Sequence, residues 1–110
     1  MAVHSGKLAD MKGGWFVGSF SPTLLDTTAA EVAVKHYRKG DHEAAHYHRI
    51  ATEISVVVAG EVAMVGRSWQ AGDIIVLEPG EATDFRAVTD AITVVVKVPG
   101  AKDDKYVHQA

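Results

Sequence analysis

A chain of 110 residues, 47% of them hydrophobic, makes one domain able to bury one ordinary core. Its net charge of -3 carries no basic block, which argues against nucleic acid as a partner; the absence of cysteine excludes disulfides and thiolate catalysis and leaves His, carboxylate and water as metal ligands. The longest apolar run falls far short of a membrane span and residues 1–7 have no apolar signal-peptide core, so no membrane contact and cytoplasmic residence are expected.

Residues 1–14 carry glycines and mixed charge, and read as a flexible N-terminal arm jointed at Gly13-Gly14. Trp15 to Phe20 is a candidate first strand, and Ser21 to Ala30 a loop with room for a helical turn. From Glu31 the chain alternates strand and turn. Glu31 to Tyr37 ends at Lys39-Gly40, Glu53 to Ala59 at Gly60, Glu61 to Val65 at Gly66, and Ile74 to Leu77 at Pro79-Gly80. Thr83 to Val88 ends near Thr89-Asp90, and Ile92 to Val98 at Pro99-Gly100. Valine dominates these segments and turn residues recur between them, which is the signature of an all-β barrel or sandwich. Residues 15–100 are the expected barrel. Residues 101–110 form a charged C-terminal tail expected to lie outside it.

Residues 40 to 60 carry the chemistry. His46 and His48 stand two apart, so in an extended strand they share a face while Tyr47 points away. Glu53 follows five residues later. Two imidazoles and a carboxylate converging on one point are the ligand set of a 2-His-1-carboxylate metal site. Ser55 and Val57 share the face of Glu53 and are expected to floor a pocket. Lys35 and Lys97 sit inside valine-rich runs, where a lysine ordinarily points outward with its stem on apolar surface. Turned inward together, they would form a cationic wall for an anionic substrate. His36 and His42 read as structural.

Gly40, His46, His48, Glu53 and Gly60 fall in the register of the first sequence motif of the cupin superfamily, which the chain therefore resembles. The second motif is also recognisable in Gly72-Asp73, the apolar strand after it and Pro79-Gly80. The resemblance covers about the last two-thirds of the chain. It departs from the family at Thr83, which stands where a histidine ligand is expected. Strand alternation turns the neighbouring Asp84 outward, unless a one-residue bulge after Gly80 brings it in as a substitute ligand, and gives Phe85 the same face as Thr83.

The resemblance implies a single-domain double-stranded β-helix, a jelly-roll barrel with its site in the mouth. It implies a divalent metal (Fe, Mn, Zn or Ni) on His46, His48 and Glu53, bound weakly for want of the fourth ligand. Ser55, Val57, Thr83 and Phe85 are the expected substrate contacts, and the ligand is a small oxygen-rich metabolite, a sugar or a hydroxy or keto acid. Two other readings stand beside this one. The first is a degenerate, non-catalytic cupin that binds a small ligand or serves as a regulatory or assembly module without metal. The second is metal-free acid–base chemistry, with His46 or His48 as base and Glu53 orienting it. Exposed strand edges and the arm lead to the expectation of a homodimer.

Overall fold

The computed structural model describes residues 2–108; residue 1 of the expected arm and residues 109–110 of the expected tail lie outside the described residues. Two short 3-10 turns, Leu8–Asp10 and Lys12–Gly14, precede the strands. These are β1 (Trp15–Val17), β2 (Glu31–Tyr37), β3 (His42–Tyr47), β4 (Thr52–Ala59), β5 (Glu61–Met64), β6 (Arg67–Gln70), β7 (Ile74–Leu77), β8 (Thr83–Ala87), β9 (Ala91–Val98) and β10 (Tyr106–Val107). They build two antiparallel five-stranded sheets, ordered β1-β2-β9-β4-β7 and β10-β3-β8-β5-β6.

Alternation along the strands decides what each sheet buries. On β9, Ala91, Thr93 and Val95 face inward, and on β4 Ser55 and Val57 do. Val57, Val62, Met64, Ile75, Phe85, Ala87 and Ala91 pack between the sheets as one core, with Tyr37, Trp69 and Leu77 against it. Full burial of Val57 and of Val62 is worth about 1.5–3 kcal/mol each. This core fills one end of the barrel and forms the floor of a cavity of about 370 Å³ at the other.

The turns follow the glycines. Gly60, at φ 81, joins β4 to β5 so close to the Asp90 carbonyl that a Cβ there would collide with it. Val65 and Gly66, at φ 53 and 72, make a two-residue hairpin turn between β5 and β6 of the kind that wants both residues left-handed. A β-branched residue there is strained, and the Val65 N–H is held by the Thr83 hydroxyl at 2.8 Å.

The fold is the expected all-β double-stranded β-helix, with differences at its ends. No helix forms between Ser21 and Ala30. Strand β6 has no valine run to announce it. The segment after Gly100 does not lie wholly outside. Tyr106 pairs with Tyr47 and Val107 with His46, and Asp104 is only 6% exposed. The expectation failed because charge was read as solvation, whereas the Asp104 carboxylate has three backbone N–H partners inside the fold.

Candidate functional site

Three strands and a loop bring the site together. β3 carries His46 to the cavity, and His48 follows one residue past its end. β4 carries Glu53, Ser55 and Val57 on its inner face, and β8 carries Thr83 and Phe85. All seven residues singled out from the sequence line the same cavity. Asp84, His36 and His42 are exposed.

His48 is the best-determined group. Its ring is 6% exposed, with Nδ1 2.6 Å from the carbonyl oxygen of Asp104. A carbonyl can only accept, so Nδ1 carries a proton and Nε2 is turned to the cavity, 3.1 Å from Glu53 Oε1. His46 is tied the same way, Nδ1 donating to the Ala44 carbonyl at 3.0 Å, and its ring stands edge-on to that of His48 with centroids 5.5 Å apart. The Glu53 carboxylate holds the His48 imidazolium above the ordinary histidine range, against burial. Burial by itself would push the Glu53 carboxyl up, but the hydrogen bond and charge of His48, with Lys97, hold it below the usual carboxylate range.

The donor chemistry suits a divalent cation in part. Two ligands on one ion at about 2.1 Å, set 90–109° apart, are about 3.0–3.4 Å from each other, which the His48–Glu53 contact satisfies. An imidazole whose Nδ1–H is fixed by a carbonyl is the usual support of a metal-bound Nε2. Among the described residues, however, no three His, Asp or Glu side chains converge closely enough to enclose an ion. His46 would have to swing toward the pair to complete the set. Thr83 adds no ligand, because its hydroxyl accepts from Val65 N–H and donates to the Asp84 carbonyl at 2.7 Å.

The sequence conceals two features and leaves a third open between two facings. Glu43 lines the cavity although it is an odd number of residues from His46, because the β3–β8 register shifts between Glu43 and His46 and one extra residue on β3 re-aims the side chain. Glu43 accepts from the Tyr37 hydroxyl at 3.5 Å; burial, then the Glu43 charge, push that phenol well above its ordinary range. Only the small pair Ala44-Ala45 marks the bulge in sequence. Asp104 was missed for the reason given above. The third feature is Lys35 and Lys97, which face inward rather than outward. Both line the cavity, and their ammonium groups stand 5.3 and 4.8 Å from the centroid of the Trp15 ring. Burial lowers the Lys35 pKa, Glu43 opposing and Lys97 assisting. An aromatic face returns about 0.5–2 kcal/mol to an ammonium, less than the several kcal/mol that taking it out of water costs.

The sequence matches no protein-family model and no curated protein. Its structure matches many. A protein with a double-stranded β-helix domain from Klebsiella pneumoniae superposes with a TM-score of 0.69 at 26% identity, over 79% of this chain and 81% of that one. An RmlC-like cupin from Desulfovibrio desulfuricans gives 0.61 at 24% identity, over 67% and 76%. Oxalate decarboxylase from Bacillus subtilis gives 0.62 at 16% identity, over 73% of this chain and 24% of that larger one. By its fold, the chain is a double-stranded β-helix similar to those of cupin proteins, and its mouth holds His46, His48 and Glu53.

Proposed function

We propose that the barrel binds a small oxygen-rich metabolite, a sugar or a hydroxy or keto acid, and that His46, His48 and Glu53 hold a divalent first-row cation when one is bound. The observation that carries this reading is the aim of His48. Its Nδ1–H is committed to the Asp104 carbonyl, and its Nε2 faces the Glu53 carboxylate across 3.1 Å inside the cavity. Ser55, Val57, Thr83 and Phe85 are the proposed ligand contacts on the floor and wall. A bound cation would act there as a Lewis acid on a ligand oxygen. The oxalate decarboxylase that shares the fold has Mn(II) centres, which supports a metal here by fold-level analogy alone.

A specific observation favours the second reading, a metal-free binding cupin. The Thr83 hydroxyl is engaged on both sides by main chain, and a proton between His48 and Glu53 satisfies that pair without an ion. Elemental analysis of protein purified without chelating resin, followed by calorimetric titration with Zn²⁺ or Ni²⁺, separates the two. One ion per chain, lost in His48→Ala and in Glu53→Gln, supports the metal reading. A metal-free native protein giving no heat of titration leaves the second.

We further propose a homodimer, because β7 is a sheet edge whose outer face exposes Ile74 and Val76.

A further inference from the structure

The inward lysines take no part in the reading above. Strand β9 runs between β2 and β4, and its register sets Lys97 opposite Glu31 on one side and Glu53 on the other, with Lys35 opposite Thr93. Both ammonium groups share the Trp15 ring. Among the described residues the one ion-pair contact is His48–Glu53, so neither ammonium has a carboxylate within reach. The nearby acids have other work: Glu53 is held by His48, and Glu43 accepts from Tyr37. Thr93, 2% exposed and lining the same cavity, has a hydroxyl that lies near the Tyr37 hydroxyl but makes no hydrogen bond of good geometry.

Lysines on a barrel wall would ordinarily snorkel to water. Here Trp15, the first residue of β1, stands against both, and an aromatic face restores only part of the lost hydration. A buried hydroxyl without a good hydrogen bond is rare enough to call for a ligand. Two half-buried cations without a salt-bridge partner and one poorly satisfied hydroxyl on adjacent strands match a carboxylate, which accepts from several donors at once and supplies a close countercharge.

We propose that Lys35, Lys97 and Thr93 form a carboxylate subsite, so that the metabolite bound by this barrel is a small organic acid rather than a neutral sugar. The proposal rests on the reading of the cavity as a small-ligand site. Because Lys97 and Glu53 are register neighbours, a carboxylate on the lysines directs its adjacent carbon toward the Glu53–His48 pair. An oxygen substituent on that carbon meets the pair, which selects hydroxy and keto acids. Lys12 and Lys105 also line the cavity, against Glu31, Glu43, Glu53 and Glu81, so the attraction for an anion is local to the Lys35–Lys97 wall rather than a property of the whole cavity.

The test is calorimetric titration of the full chain with malate, lactate and glucuronate against malamide, lactamide and glucose, in chelator and again with Zn²⁺. At least one acid is expected to bind ten times or more tighter than its neutral partner, about 1.4 kcal/mol. Lys35→Met and Lys97→Met should each weaken that acid at least tenfold; Thr93→Val should weaken it about threefold. Should the variants fail to fold, wild type decides through salt: acid binding must weaken between about 50 and 500 mM chloride. Equal affinity for acids and neutral partners, undiminished binding in both methionine variants, salt-independent binding, or no acid bound below about 10 mM overturns the subsite. Lysine-dependent acid binding without any Zn²⁺ binding overturns the metal reading alone.

Discussion

His48 donates one ring proton to a carbonyl, and the fate of the other decides how the site responds to pH. Because the His48 pKa is raised above its ordinary 6.5, its pairing stabilises the fold fully below that value and is lost as pH rises through the native pKa. Because the Glu53 pKa is lowered from 4.5, its contribution is present above that value and is lost as pH falls through the native one. Wild type should therefore melt higher near about pH 6 than near about pH 9, and His48→Gln should flatten that difference. Lys35, with its lowered pKa, acts in the opposite sense at alkaline pH, so the comparison with His48→Gln, not the wild-type curve alone, is the measurement that counts. Thr83 is the second informative residue. It lies directly opposite His46 in the β3–β8 pairing, so Thr83→His sets a third imidazole beside the site. Zn²⁺ or Ni²⁺ should bind at least tenfold tighter by calorimetry, about 1.4 kcal/mol. The variant should also lose some stability, because the Val65 turn loses its hydroxyl acceptor.

Among the elements, the segment that ends in β10 does the most for the site. The Asp104 carboxylate accepts from the N–H groups of Arg49, Ile50 and Ala51, at 2.9–3.2 Å, while its own carbonyl fixes His48. One residue thus holds the β3–β4 loop and the tautomer of the histidine that precedes it. Burial alone would raise its carboxyl, but those three N–H groups hold it below the usual range. Asp104→Ala should cost about 1–3 kcal/mol in chemical denaturation and should broaden or shift the His48 ring resonances. Variant spectra that leave His48 unmoved would show that the tail does not position the ring. The bulge in β3 is a comparable device, because a single extra residue brings Glu43 to the same cavity as His46.

Assembly turns on the outer face of one sheet. Val58 on β4 and Ile74 and Val76 on β7 are 52–62% exposed, and together they give one sheet an apolar outer surface ending at an unpaired edge. Light scattering at micromolar concentration should return the mass of two chains. Ile74→Glu with Val76→Glu should return that of one without lowering the helix-poor circular dichroism signal. A single-chain mass for wild type would remove the dimer proposal. None of the described helices is long or apolar enough to cross a membrane.

Fold class and the residue types of the mouth are legible in the sequence alone. Valine-rich alternation and evenly placed glycines dictate strands and turns, and the spacing of His46, His48 and Glu53 sets three donors on inner faces, because both signals are local and period-two. Tertiary structure decided what alternation cannot carry. The β3 bulge overrode parity at Glu43. Distant main-chain donors turned Asp104 from a solvated charge into a buried strap. The Trp15 ring of β1 receives both inward lysines, Lys35 and Lys97. Each depends on a partner far away in the chain, and no window of sequence around the residue itself contains that partner.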